Sequence, residues 1–125
     1  MTEESSKPTL ALIAHDGKKA DMVAFVMDHK ERLTEFDLLA TATTGALIEE
    51  KTGLKVRQML SGPLGGDAQI AAEVATGQVR AIFFFLDPLG KHPHDPDIQS
   101  LLRICNVHNV PLATNIATAV LLIKA

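Results

Sequence analysis

Two short, almost unbroken apolar runs constrain this chain most: Thr9 to Ala14 (TLALIA) and Ala81 to Leu86 (AIFFFL). A strand with one face in water alternates apolar and polar residues, whereas a strand apolar on both faces must be covered on both. Covering both faces of a sheet calls for helices on either side, reached by helical crossovers. Segments of helical spacing are present to do this. Met22, Phe25, Val26 and His29 share one face, as do Ile70, Ala71 and Val74, and Ile98, Leu101, Leu102 and Cys105.

Taken in order, the chain gives five strand–helix units. Met1 to Pro8 is polar and expected to fray. The Thr9–Ala14 strand ends in His15-Asp16-Gly17, with Asp16 as the expected cap of the next helix. Phe36 to Ala40 is the second strand, followed by Thr41-Ala42-Thr43-Thr44-Gly45 and a helix to about Lys51, with Gly53 as its stop. Lys55 to Leu60 leads into the glycine-rich stretch Leu60 to Gln69 (LSGPLGGDAQ) and a helix that stops near Gly77. After Ala81–Leu86 comes a long loop, Asp87 to Pro96, whose Asp95-Pro96 reads as a cap and first helical residue. Val110 to Ala113 is a short fifth strand, and Asn115 caps a last helix, Ile116 to Ile123. No linker, low-complexity tract or close repeat interrupts this pattern. The expected fold is α/β: a doubly wound three-layer sandwich around a five-stranded, mainly parallel sheet, with residues 1–125 as one domain.

Composition narrows the function classes. Apolar residues make up 46% and charged residues 22%, a soluble globular mixture. The net charge of −3 and the absence of Trp and Tyr point away from nucleic acid and from an anionic membrane surface. A single cysteine, Cys105, excludes an intramolecular disulfide and reads as inert core. No signal-peptide pattern or long apolar run is visible, so a cytoplasmic location is expected.

In doubly wound folds, ligands sit beyond the carboxyl ends of the strands. His15 to Lys19, Thr41 to Gly45, Ser61 to Asp67 and Asp87 to Asp97 all follow strands and should meet at one edge. They hold two kinds of chemistry. Lys19, Thr41, Thr43, Thr44, Ser61 and the Gly62–Gly66 backbone suit a phosphate. Asp16, Asp67, Asp87, Asp95, Asp97, His15, His92 and His94 can handle protons. Each also has a plain structural reading. The threonines can simply start a helix, Lys19 can be a solvated helix residue, and Asp67 can be a cap. Neither G-x-x-x-x-G-K-[ST] nor G-x-G-x-x-G occurs, so ATP and NAD are disfavoured and a small phosphorylated molecule fits better. Two prolines interrupt the His92–Asp97 run, which disfavours a metal site there. No G-x-S-x-G elbow singles out Ser61 as a nucleophile.

Five stretches together resemble the methylglyoxal synthase family. They are His15-Asp16, Thr41-Ala42-Thr43-Thr44-Gly45, Ser61-Gly62-Pro63-Leu64-Gly65-Gly66-Asp67, Asp87-Pro88-Leu89 with Pro93-His94-Asp95-Pro96-Asp97, and Ala113-Thr114-Asn115-Ile116-Ala117-Thr118-Ala119. The likeness spans roughly Leu10 to Ile123. It implies conversion of dihydroxyacetone phosphate to methylglyoxal and inorganic phosphate, with phosphate as product and inhibitor, no metal or organic cofactor, and a homohexamer. It also implies roles: Asp67 as catalytic base; Lys19, Thr41, Ala42, Thr43, Thr44, Ser61 and Gly62 around the phosphate; His94 on the substrate oxygens with His15 nearby; Asp16 and Asp97 as supporting carboxylates. Many members of the family continue past the last helix to an arginine that reaches a neighbouring subunit's phosphate site. The sequence here ends at Ala125, so phosphate cooperativity through that arginine is not expected. Val120 stands where relatives commonly carry an acidic residue, and local repacking is expected there. The alternative from another class is a non-catalytic regulatory domain of the same fold that binds phosphorylated effectors, like the carboxyl-terminal domain of carbamoyl phosphate synthetase. Such a module would keep the threonine and serine cradle without needing Asp67, His94 and Asp97.

Overall fold

A computed structural model describes residues 7–61, 64–90 and 98–124. Five strands, β1 (Thr9–Ala14), β2 (Asp37–Ala40), β3 (Val56–Gln58), β4 (Ala81–Phe85) and β5 (Leu112–Ala113), form one sheet in the order β3-β2-β1-β4-β5. Every pairing is parallel, which sharpens the expected "mainly parallel" sheet. The helices are α1 (Lys19–Asp28), α2 (Lys30–Leu33), α3 (Ala42–Thr52), α4 (Gly66–Ala75), α5 (Ile98–His108) and α6 (Ile116–Lys124). The four-residue α2 adds one helix to the five read from periodicity. A 3-10 turn, Asp16–Lys18, precedes α1.

The apolar runs behave as strands buried on both faces. In β1, Leu10, Leu12 and Ala14 pack in one layer with Met22, Phe25, Val26 and Ile48, and with Ala119 and Ile123 of α6. Ala11 and Ile13 pack in the other layer with Ile70, Val74, Leu101 and Cys105. β4 does the same, sending Phe83 and Phe85 to the first layer and Phe84 to the second. The three-layer sandwich therefore follows from period-two alternation on an all-apolar strand. Leu102 departs from its expected place: Leu101 and Cys105 are buried, whereas Leu102 is 40% exposed. The helical face that meets α4 and the sheet is narrower than four positions.

Strand order places the switch point between β1 and β4, because the chain builds outward to β3 and then returns to the other side of β1. The ladders also end at different heights. The β1–β2 register stops at Leu12–Ala40, while β1–β4 continues to Ala14–Phe85. The central pair thus extends two residues further, about 6–7 Å, and makes a step at the carboxyl edge.

Candidate functional site

On the lower side of that step, two helices start from opposite layers. α3 begins directly after β2, with Thr41 as its N-cap residue, and α4 begins after the glycine-rich turn, with Gly65 as its N-cap residue. The expected loop Thr41–Gly45 is therefore a cap and the first turn of a helix. The two starts touch: the Ala42 N–H donates to the Leu60 carbonyl at 3.4 Å, and Thr41 Cγ2 packs beside Gly66. A side chain at Gly66 would run into the Leu60 carbonyl, so only glycine permits this approach. Gly65 has φ 101°, a left-handed conformation that glycine supplies at little cost.

Neither helix start is capped by a side chain. The intrahelical bonds begin with Gly45 N–H to Thr41 and Gln69 N–H to Gly65. That leaves the amides of Thr43, Thr44, Asp67 and Ala68 without intrahelical acceptors, at the positive ends of two helices. Thr41 and Thr44 are buried, and the Thr44 hydroxyl, 1% exposed, has no hydrogen-bond partner among the described residues. A buried hydroxyl left unpaired costs about 1–3 kcal/mol, so such groups call for an explanation. Thr43 is exposed. Ser61 is half-buried, and its carbonyl accepts the N–H groups of Leu64 at 3.0 Å and Gly66 at 2.9 Å. Leu60 is held from the other side: its N–H donates to Gln69 Oε1 at 2.7 Å.

Asp67 occupies the first turn of α4, half-buried, two residues after the N-cap. The capping reading of Asp67 is thus overturned, because Gly65 takes that position. Nothing among the described residues hydrogen-bonds its carboxylate, so the fold makes no use of this charge beyond the helix N-terminus.

The upper side of the step belongs to β1 and β4. Asp16 was expected to cap α1, and it does not: it lies in the 3-10 turn and pairs with Lys19, Oδ1 to Nζ at 2.9 Å. Lys19 Nζ also donates to the Ala14 carbonyl at 3.0 Å, and its side chain is only 17% exposed. A solvated helix lysine it is not; its ammonium is held over the carboxyl end of β1. His15 continues β1 by donating its N–H to the Phe85 carbonyl at 3.1 Å. Its ring stands edge-on to Phe84, and its Nδ1 accepts the Asp87 N–H at 2.9 Å. A backbone amide only donates, so Nδ1 is the acceptor and the ring proton sits on Nε2.

Asp87 has a structural use that its sequence did not reveal. Its Oδ1 accepts the Leu89 N–H at 3.1 Å, an Asx turn, and its carboxyl group is wedged against Gly17 and Gly90. His92, His94, Asp95, Asp97, Gly62 and the Asp95-Pro96 cap lie outside the described residues. Among the described residues, no three His, Cys, Asp or Glu side chains cluster as metal ligands, and no helix is long and apolar enough to cross a membrane. A groove of about 580 Å³ opens at the opposite edge, beside Asp37, Arg80 and His108. It contains none of the strand-end residues, and the uncapped helix starts and unused carboxylate are at the carboxyl edge.

Sequence reasoning missed Gln69. Its contact with Leu60 depends on a helix returning beside the strand it left, which residue spacing does not show.

Comparisons with known proteins identify the family and the fold. The family model described as MGS-like domain matches residues 21–114. A protein named methylglyoxal synthase from Thermus thermophilus is 61% identical over 114 residues, covering 91% of this chain and 90% of the relative. One from Carboxydothermus hydrogenoformans is 56% identical over 116 residues, covering 93% and 96%. One from Cupriavidus metallidurans is 58% identical over 118 residues, covering 94% and 84%. The crystal structure of methylglyoxal synthase from Elizabethkingia anophelis superposes with a TM-score of 0.93 at 44% identity, covering 95% of this chain and 78% of that one.

Proposed function

The chain belongs to the methylglyoxal synthase family, and we propose that it is a carbon–oxygen lyase that turns dihydroxyacetone phosphate into methylglyoxal and inorganic phosphate. One observation carries this reading: two uncapped helix starts meet beside Asp67, a carboxylate that nothing among the described residues hydrogen-bonds. The regulatory-domain alternative gives no role to such a carboxylate. Nor do the relatives favour it, since this chain spans 90% of the Thermus protein and 96% of the Carboxydothermus protein.

Asp67 acts as the base. It removes a carbon-bound proton from the hydroxymethyl group beside the ketone, and the electron pair moves onto the ketone oxygen as an enediolate forms. His15 offers Nε2–H to the developing oxyanion, a donor fixed by the bond from Asp87 to Nδ1. The enediolate then collapses. The hydroxyl on the former hydroxymethyl carbon gives up its proton and becomes the aldehyde carbonyl, and the double bond shifts toward the other carbon. The carbon–oxygen bond to phosphate breaks, and the phosphate takes the pair. The resulting enolate gains a proton on its terminal carbon to give methylglyoxal. The free amides of Thr43 and Thr44, the Thr41, Thr44 and Ser61 hydroxyls and the Lys19 ammonium receive the phosphate. The buried Thr44 hydroxyl gains its missing partner in this way. Asp16 orients Lys19. The roles of His94, Asp97, Gly62 and Ala42 rest on the family resemblance. The reaction asks nothing of a metal or an organic cofactor.

Residues 1–125 work as one domain in the cytoplasm, assembled as a homohexamer. Exposed Leu64, Leu89 and Leu121 are the kind of apolar surface that such an assembly covers. Light scattering reads the assembly directly.

The deciding experiment incubates the protein with dihydroxyacetone phosphate and measures three products. Methylglyoxal and phosphate should appear in equal amounts, with little glyceraldehyde 3-phosphate. Aldehyde phosphate as the main product would make the chain an isomerase on this fold, and no product at all would overturn the enzyme.

A further inference from the structure

We propose that Gln69 is a positioning residue that ties the phosphate cradle to the base. The β2–β3 ladder closes with Met59 N–H donating to the Ala40 carbonyl at 2.7 Å. The next amide, Leu60 N–H, lies past the end of the sheet and donates to Gln69 Oε1 at 2.7 Å. Gln69 is the first residue of α4 whose own N–H is bonded within the helix, to the Gly65 carbonyl at 3.0 Å. One side chain therefore closes a ring from the end of β3 to the first bonded turn of the helix that carries Asp67.

Ser61 lies inside that ring, directly after the clamped residue. Its carbonyl is fixed by Leu64 and Gly66, and the Leu60 carbonyl before it accepts from Ala42 at the start of α3. With Gln69 in place, Ser61, the α3 start and Asp67 hold one relative position. Without the Gln69 acceptor, Leu60 keeps only the long 3.4 Å bond from Ala42, and the strand end is tied to α4 through the Ser61 carbonyl alone. Asp67 stays on its helix, held by bonds that Gln69's side chain does not make. The bond is solvent-exposed, so its loss costs little global stability. Its effect is on order in the cradle, and a misplacement of about 1 Å is enough to matter there.

This inference rests on the phosphate cradle proposed above, and its test reads binding as well as turnover. Gln69→Leu keeps the bulk and removes the acceptor. Gln69→Glu keeps an acceptor for the amide and adds a charge, which roughly 0.5 M salt screens over a few ångströms. Inorganic phosphate is titrated into each protein at that salt, and exchange of the Leu60 amide is followed by nuclear magnetic resonance. In Gln69→Leu, Leu60 exchange should accelerate at least tenfold and phosphate binding should weaken about five- to twentyfold. KM should rise by a similar factor, kcat should change by less than about threefold, and Tm should stay within a few degrees. Gln69→Glu should restore slow exchange and most of the affinity. If Gln69→Leu does not fold, the Glu variant alone decides by retaining slow Leu60 exchange and phosphate affinity or losing them. Wild-type phosphate affinity in Gln69→Leu, or a Glu variant as weak as Leu, overturns the clamp. A wild-type protein that binds phosphate and makes no methylglyoxal would instead overturn the proposed reaction and leave the clamp testable.

Discussion

The Asp87 amide donates to His15 Nδ1 at 2.9 Å, so the first residue after β1 and the second after β4 are bonded across the switch point of the sheet. The contact does two things at once. It joins the two central strands past the end of their ladder, and it leaves the histidine's remaining proton on Nε2. The Asx turn at Asp87 and the close approach of Gly17 and Gly90 hold the donor in place. A ring nitrogen is thereby oriented by main chain, which cannot change its protonation state.

Asp67→Asn should reduce kcat by a factor of about 10² or more and leave phosphate binding within about threefold of wild type. Since Asp67 is not the cap, the stability cost should be only that of one charge at a helix start, about 0.3–1 kcal/mol. Steady-state kinetics with a phosphate titration checks both. A variant that keeps a tenth of wild-type kcat would sink the base assignment.

Lys19→Met and Ser61→Ala should both weaken phosphate binding, but with different signatures. Lys19 acts as a charge, so its loss should flatten the salt dependence of binding. Ser61 acts through a neutral hydrogen bond, and its loss should weaken binding about five- to tenfold with the salt dependence unchanged. Phosphate titrations at two ionic strengths separate them, and identical salt profiles in the two variants would contradict these roles.

Gly66→Ala should be far worse than Gly65→Ala. At Gly66 the added carbon meets the Leu60 carbonyl, a main-chain atom that cannot swing away, and overpacking of this kind costs about 1–3 kcal/mol or more. At Gly65 the space is open and only the left-handed φ resists, at about 1–2 kcal/mol. Thermal melts with phosphate titration should show Gly66→Ala losing both stability and binding. Equal melting points with intact binding would mean that the two helix starts are not pressed together.

Burial pushes the Cys105 thiol up from its ordinary value. The unfolded chain, with a thiol near pKa 8.5, then releases its proton first. The contribution is complete below about pH 8.5 and is lost as pH rises beyond it. Denaturant titrations from pH 7 to 10 should show a steeper alkaline fall for wild type than for Cys105→Ala, and native Cys105 should resist alkylating reagents. Parallel slopes would remove the thiol as the cause.

Much of the fold was readable because its signals are local. An apolar run of six residues requires two covering layers, and glycine at positive φ ends α3 at Gly53 and follows α4 at Gly77. The Asn115 cap is real, its Oδ1 accepting the Thr118 N–H and hydroxyl at 2.9 Å each. Asp16 and Asp67 misled as caps because a carboxylate at the cap and one a step inside the first turn look alike in sequence. Backbone angles at Gly65, and the ion pair available to Asp16, decide between them. The strand-end residues that the structure describes were readable as a set, since topology alone sends them to one edge. Their pairings were not: Lys19 with Ala14, His15 with Asp87 and Leu60 with Gln69 all depend on how neighbouring turns pack.

The strand order carries a consequence for the newborn chain. β1 pairs with β2 early, but its other partner is β4, with Leu10 opposite Ala81. While a ribosome has yet to release β4, β1 is an open edge, apolar on both faces and without a charge or proline to guard it. Such an edge is a template for the wrong strand. The β-side contacts are also long-range, which slows closure. The most secure strand of the finished sheet is therefore the one most exposed to misassembly during synthesis, and fragments that stop before Ala81 should aggregate rather than fold.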